Sequence, residues 1–426
     1  MTKTKGRVAI VGAGPGGMAT AIAFHKSGYD VQLYERYREV KIAGNILNLW
    51  PPPQKVLTLL DVDISGLGAP CHSVFATADG RIRADVRLPD EVVDEYGGGF
   101  IGLLRWGLYK RMVEALPRGI LRLDHEMTSF NDHGDGVTVR FAERGEIEAD
   151  ILIGADGINS AVRKQLWGDS PIRHQKLHLV GGYVFTEDVD AEGVIAHNRT
   201  TQGSYTPILH DGKTGYEWWL LEKCDPGKEF TEDLLEFSKD RAGGFAEPLP
   251  SLVAQTPRAH MQRWEIRDRK PLKQWSKGRV TLVGDASHPT SPYAAYGAGM
   301  SIEDGFFIAK EFQTRDVSDL ASVREGLQAF EDRRKPHTKE VTELAYMNGR
   351  IFHHCPAPLR PFRDLFFDHT NFLQKKIGDE MPAHILAQLK EIGDVEAATP
   401  WPAAVNSPRR RAGQTSHRAS TRAPRR

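Results

Sequence analysis

The sequence predicts an α/β fold: a parallel sheet with nucleotide-binding turns, interrupted by an antiparallel sheet and followed by C-terminal helices. Three observations predict it. Residues 6–35 read strand, glycine turn, helix, strand, acid. Two later stretches, 150–163 and 279–304, each read as a buried strand that ends in an Asp-bearing turn and leads into a helix. Between about 172 and 267 the pattern changes to long alternating strands rich in aromatics, among them Tyr183, Phe185, Tyr205, Tyr216, Trp218 and Trp219.

The first stretch is the most informative. Residues 8–11 are a short β-branched apolar run, suited to a strand covered on both faces. Gly12, Gly14 and Gly17 follow it as G-x-G-x-x-G. Met18, Ala21, Ile22 and His25 then recur at helical spacing, and Gly28 stops the helix. A second apolar run, 31–34, ends at Glu35. This is the dinucleotide-binding βαβ unit of Rossmann-like domains. Gly12 allows the tight turn, and Gly14 lets the backbone approach a pyrophosphate at the positive end of the helix. Gly17 permits close helix–strand packing. Glu35 can accept from a ribose 2′-hydroxyl, and a carboxylate there disfavours a 2′-phosphate. The unit therefore expects the ADP half of FAD or NAD, not NADP.

Bulk properties narrow the function classes. A chain of 426 residues holds two domains, or one large domain with an inserted module. Its 56 basic and 56 acidic residues cancel, so no global field points to nucleic acid or a membrane surface. Seven arginines and no acid fall in 397–426, which leaves a mildly acidic body. That tail of Pro, Ser, Ala and Arg is expected to be disordered and solvated. Cys71, Cys224 and Cys355 are too few and too scattered for a disulfide framework. No run approaches the ~18 apolar residues of a spanning helix, and the polar start leads straight into the first strand. The expectation is a cytoplasmic monomer or homodimer with a small-molecule partner.

Taken in order, the triple proline 51–53 after Trp50 is expected to end regular structure, with a short helix resuming over 54–60. Residues 72–90 alternate around Asp79-Gly80 as a hairpin. Leu104, Leu108, Met112, Val113 and Leu116 form a helical stripe that Arg105 opens. Strands of a small sheet are expected at 121–123, 136–141 and 145–149, and those of the long antiparallel sheet at 177–186, 203–210, 216–221 and 259–266. A helix begins near Gly299, and 322–341 and 342–352 are helical, with Pro336 as a break or kink.

At the three informative stretches the chain resembles the class A flavoprotein monooxygenases of the para-hydroxybenzoate and salicylate hydroxylase type, over nearly its whole length to about residue 350. Gly12-Ala-Gly14-Pro-Gly-Gly17 with Glu35 matches that family's ADP-binding motif. Gly154-Ala-Asp156-Gly157 with Ser160 and Arg163 matches its D-G motif, which serves FAD and the transient nicotinamide. Gly284-Asp285-Ala-Ser-His288-Pro289 with Pro292 matches its G-D motif, whose Asp holds the flavin ribityl chain. Arg105 matches the arginine that reaches the FAD pyrophosphate. Arg36 and Gly44 are assigned to the cofactor with these, and the N–H groups of Gly297 and Ala298 to the flavin ring edge. The chain departs from the pattern at Tyr296, where the salicylate type usually has Gln, at Gly299-Met300 for Asn-Gln, and at Trp50 with its prolines.

The resemblance implies a hydroxylase-type FAD-binding domain in 1–75, 97–171 and 268–350, and a substrate-binding sheet in 76–96 and 172–267. C-terminal helices would occupy 351–396. It implies tightly bound, non-covalent FAD, transient NADH or NADPH, and O2. The expected reaction hydroxylates or epoxidises an aromatic, heteroaromatic or conjugated small molecule through a flavin C4a-hydroperoxide. Trp50, Tyr183, Tyr205, Trp219 and Tyr296 are the candidates for the substrate pocket. Trp218 and Trp219 are adjacent on a strand, so at most one of them faces it. His210 is the candidate general base. His353-His354-Cys355 lacks partner ligands at metal spacing, so no metal is expected. Three rivals stand beside this reading. A flavin-dependent halogenase would need a Trp-x-Trp-x-Ile-Pro segment, which is absent. A nicotinamide-only dehydrogenase would leave Asp285 unexplained, and a flavin-binding sensor would consume no NAD(P)H.

Overall fold

The short apolar strands near the N-terminus nucleate the first layer. The structure, a computed structural model, describes residues 4–40 and 45–401. Strands 280–282, 151–154, 7–11, 30–34 and 121–122 lie in that order in a wholly parallel five-stranded sheet. Ile10, Leu33, Ile153 and Leu282 are fully buried because both faces are covered. Helices Pro15–Lys26 and Gly297–Glu311 pack together beside the sheet. A three-stranded antiparallel sheet of 127–132, 137–141 and 145–149 packs beside strands 7–11 and 151–154.

The two helices run parallel and in step. Gly16 faces Ser301, Thr20 faces Gly305, and the Phe24 and Phe312 rings lie 5.9 Å apart. A Cβ on Gly305 would sit 2.5 Å from the Thr20 nitrogen, so only glycine allows this approach. The consequence is functional: both helix N-termini, each with unpaired N–H groups, emerge side by side at the C-terminal edge of the parallel sheet.

The second layer is a nine-stranded sheet. Its order is 262–268, 173–185, 213–223, 201–210, 192–197, 69–77, 100–104 and 46–49, with 82–86 paired beside 69–77. All pairs are antiparallel except 192–197 with 69–77. It therefore recruits strands from the N-terminal quarter of the chain as well as from 173–268. Alternation gives it two faces. Tyr216, Trp218 and Leu220 turn toward helices Leu234–Ala242 and Leu249–Gln255, where the Trp218 Nε1 donates to the Thr256 hydroxyl at 2.7 Å. Glu217, Trp219 and Leu221 turn the other way, toward the first layer.

Two proline expectations are corrected. Pro51–Pro53 do not end structure; they open the helix Pro51–Leu59. The first-turn N–H groups of a helix have no intrahelical acceptor, so prolines cost nothing there. Pro336 does not divide two helices. Leu320–His353 is one 34-residue helix through it, and the Thr338 hydroxyl donates to the Arg334 carbonyl at 3.0 Å beside the missing N–H. Gly44 and nearly all of the basic tail, 402–426, lie outside the described residues.

Candidate active site

The site lies where the C-terminal edge of the parallel sheet meets the inner face of the large sheet. Its first wall is the glycine turn. Gly12 adopts φ +103°, and a Cβ on it would sit 2.4 Å from the Ala155 carbonyl, so the turn lies directly on the chain leading to Asp156. A Cβ on Gly14 would meet nothing within 4 Å. The space above Gly14 is thus open, as a backbone cradle for a phosphate requires. At the end of strand 30–34 Glu35 is buried, with Oε2 accepting from Ala13 N at 2.9 Å and Oε1 from Tyr37 N at 3.1 Å. Arg36 is exposed at the rim, its guanidinium over the Tyr37 ring.

Arg105 begins the helix Arg105–Ala115, and its Nε donates to the Ile46 carbonyl at 3.1 Å. Strand 280–282 delivers Asp285 opposite. The Asp285 carboxylate accepts no hydrogen bond from the described residues, and its side chain is open to the cleft. The protein around that opening pushes its carboxyl up by desolvation, against the pull of His288 and Arg105. The Tyr109 hydroxyl, also raised by burial, feels Arg105, Asp285 and Glu35 together, so these groups converge on one cleft. Asp156 plays a different part. Its Oδ2 accepts from Ala161 N at 2.7 Å and Val162 N at 3.3 Å, capping the helix Ala161–Trp167 with Ser160. Gly297 and Ala298 are the first residues of their helix, where N–H groups have no intrahelical acceptor. Pro292 is exposed on the loop before it.

A buried charge cluster fixes the loop that carries Asp285. The Asp304 Oδ2 accepts from Gly284 N at 2.9 Å and from His288 Nε2 at 2.6 Å. The Arg334 guanidinium bridges Asp304 Oδ1 at 2.8 Å and Glu303 Oε2 at 2.9 Å. Burial alone would raise Asp304; His288 and Arg334 instead hold it down to about 2. Burial does raise Glu303, with a smaller push from Asp304, against the pull of Arg334 and the Tyr296 hydrogen bond.

The structure moves four candidates out of the pocket. Tyr205 points to the far side of the large sheet, with its ring edge-on to Tyr216 at 5.8 Å. Tyr296 is buried beside Met300, and its hydroxyl donates to Glu303. Trp50 is core, packed on Phe100 at 5.0 Å, with Nε1 holding the Ala295 carbonyl at 3.1 Å. His210 ends the strand Thr201–His210, paired with Lys213, where Trp106 Nε1 donates to its Nε2 at 2.6 Å. Six residues of strand separate it from the register of Trp219, roughly 20 Å. Tyr183 does face the cleft, but its ring is stacked on His260 at 4.0 Å and edge-on to Trp106. Trp219 faces the cleft half-buried, beside Trp264 and Tyr293.

Trp264, Tyr293 and Glu217 escaped sequence reasoning. Period-two parity placed neither 217 nor 264 because the register between strands is invisible in one sequence. Tyr293 was hidden in an irregular loop.

A model of the FAD binding domain matches residues 108–345, more than half of the chain, and a model of the NAD(P)-binding Rossmann-like domain matches residues 10–46. The chain belongs to the class A flavoprotein monooxygenases. Among curated proteins this monooxygenase is similar to the 6-hydroxynicotinate 3-monooxygenase of Bordetella bronchiseptica, 27% identical over 81% of this chain and 91% of that one. It is also similar to the 3-hydroxybenzoate 6-hydroxylase of Klebsiella oxytoca, 29% identical over 82% and 89%. Among solved structures, a variant HpxO of Klebsiella pneumoniae complexed with FAD superposes with a TM-score of 0.77 at 25% identity, over 90% of this chain and 99% of that one. A salicylate hydroxylase substrate complex superposes at 0.72 with 19% identity, over 93% and 98%, and shares the fold.

The residues of the monooxygenase fit FAD on the evidence of the cleft itself. The open cradle at Gly14, the partnerless Asp285 carboxylate and the two adjacent helix N-termini form a donor and acceptor set suited to a pyrophosphate and a polyol. Asp285→Ala is expected to weaken FAD binding by roughly 10- to 100-fold, the worth of a hydrogen bond to a charged acceptor. Titration of apoprotein with FAD, followed by flavin fluorescence quenching, checks this; an unchanged Kd would remove Asp285 from the site.

Proposed function

We propose that this monooxygenase is an NAD(P)H-dependent hydroxylase of an aromatic or heteroaromatic small molecule, with the substrate held between the flavin end of the cleft and the inner face of the large sheet. The observation that carries the reading is the half-buried aromatic patch of Trp219, Trp264 and Tyr293, set on the sheet face that looks into the cleft. When bound and reduced, FAD supplies the oxygen-activating chemistry. The chain's own part is to hold, orient and shield. Glu35 receives the ribose, the Gly12–Gly17 turn and Arg105 the pyrophosphate, and Asp285 the ribityl chain. The apolar sheet wall keeps water from the reacting end.

A visiting nicotinamide dinucleotide has a suitable landing place at the D-G turn. Arg163 and Arg269 are both buried there, and their hydrogen bonds go to backbone carbonyls and to Ser170 rather than to carboxylates. Burial, and then the neighbouring Arg269, lowers Arg163 to about 10. Two uncompensated guanidinium groups favour an arriving diphosphate.

The test is turnover. Purified yellow protein is expected to oxidise NADH or NADPH faster when a cognate phenol, hydroxypyridine, indole or quinolone is present, and to return that ligand heavier by one oxygen atom. Flavin-bound protein that oxidises neither nicotinamide with any ligand would favour the sensor reading.

A further inference from the structure

The register of the large sheet shows what kind of aromatic the cleft selects. Trp219 lies directly opposite Gly181 on one neighbouring strand and Ser204 on the other. Trp264 lies opposite Leu179 on the next strand out. Gly181 thus lies between the two indoles and adds no side chain of its own. A Cβ on Gly181 would sit 3.3 Å from Trp264 and 3.4 Å from Ile46, so the glycine lets both side chains pack closely over the strand beside Trp219. Tyr293 packs against the same group, and its buried hydroxyl has no partner.

The inner face around the indoles holds no cation. Within one step of Trp219 on the inner face, the side chains are Leu179, Tyr183, Leu221, Gln202, Ser204, Thr206 and Glu217. The one carboxylate or cation among them is an acid. Glu217 is 1% exposed, and its Oε2 has no hydrogen-bond partner. Burial pushes its carboxyl up to about 8, and only the Leu47 backbone N–H and Arg105 pull it back. The nearest basic groups are committed, His353 among them: its ring lies 5.8 Å from that of Tyr293, its Nε2 is 3.3 Å from Gln202 Oε1, and burial pushes its imidazole down to about 3. Arg105 Nε donates to the Ile46 carbonyl, and the His260 ring stacks on Tyr183 with Nδ1 3.3 Å from the Tyr183 carbonyl. Arg263 is next to Trp264 in sequence and so faces the opposite side, over Phe230 and Phe237.

We propose that Trp219 and Trp264, on a face that sets no cation beside them, make this pocket selective for an uncharged fused-ring aromatic and exclude ligands that carry a carboxylate. Two indoles flanking a glycine offer flat apolar faces for a fused ring. A ligand carboxylate there would be desolvated with no cation among the inner-face neighbours to receive it, which is costly. The inference rests on the proposed placement of substrate against the sheet, and it narrows that reading to a substrate class.

The test is a binding comparison on oxidised holoenzyme, with the flavin visible spectrum and tryptophan fluorescence as readouts. The probes are two pairs that differ by one carboxylate: 2-naphthol against 3-hydroxy-2-naphthoate, and indole against indole-3-carboxylate. The uncharged member of each pair is expected to bind at least ~10-fold more tightly. Trp219→Ala is expected to weaken naphthol binding by roughly 10-fold while leaving FAD content unchanged. A carboxylate that binds as tightly as its uncharged partner would overturn the proposal, as would the absence of any response to all four probes. Binding is read without turnover, so hydroxylase activity and this selectivity can fail separately.

Discussion

Gly17→Ala is expected to yield a protein that purifies without flavin and melts early. A Cβ at this position would lie 1.9 Å from the Gly12 carbonyl oxygen and 3.2 Å from the Ala155 side chain. Neither neighbour is the free end of a flexible side chain. The contact is relieved only by moving the Gly12–Gly17 turn, the segment meant to cradle the pyrophosphate. Overpacking of this kind costs about 1–3 kcal/mol in stability, and the displaced N–H groups cost binding in addition. Gly14→Ala is the informative control. Its Cβ meets nothing in the protein, and Gly14 has an ordinary negative φ of −74°. The Gly14 variant is therefore expected to keep the stability of the apoprotein and to lose FAD affinity alone. Flavin-to-protein absorbance ratios and apoprotein Tm values separate the two. Equal behaviour of both variants would remove the distinct roles assigned to these glycines.

Arg334→Leu is expected to destabilise the fold by about 3–5 kcal/mol, the usual effect of stripping the cation from a buried pair. Glu303 and Asp304 are both completely buried and would lose their shared guanidinium, leaving Asp304 with His288 and the Gly284 N–H and Glu303 with the Tyr296 hydroxyl. The damage should spread to the cofactor, because Asp304 holds both Gly284 and His288, the two ends of the turn that presents Asp285. Urea unfolding and FAD titration measure the two consequences. A variant within ~1 kcal/mol of the parent would contradict the assigned role.

Acid should attack the same cluster. Asp304 is held at about 2 against an ordinary 3.8, so its stabilisation disappears as pH falls through that interval. Burial also pushes His337 and His353 down to about 3 from 6.5. The unfolded chain binds those protons first, and stability falls progressively below pH 6.5. Tm measured across pH 3–7 checks this, about in the range where both groups change charge.

The nucleotide half of the site was legible because each of its parts is local. A strand, a glycine turn, a helix start and an acid lie close together in the chain, and each residue type has one reason to be there. The G-D stretch was legible for the same reason. The substrate side was not. Whether Tyr205 or Trp219 looks into the cleft depends on which face of a long sheet is covered by helices, and only the register with strands 173–185 and 262–268 decides it. Tyr296 and Trp50 looked like pocket aromatics because large side chains near a ligand loop fit either role. Burial, the Glu303 bond and the Ala295 bond make them supports of the loop. The prolines at 51–53 and 336 were misread because a helix tolerates proline at its first turn, and because a long amphipathic helix with strong packing carries one internal break.

The most direct test of the central claim, that this cleft brings FAD, O2 and an aromatic ring together, is a single-turnover reaction under ¹⁸O2. Holoenzyme is reduced with NADH or NADPH, mixed with a ligand that accelerates that oxidation, and the product mass is recorded. Incorporation of one ¹⁸O atom into the aromatic product is the predicted result. A product that carries oxygen from water alone, or full reoxidation of the flavin with the ligand returned unchanged, would contradict the account.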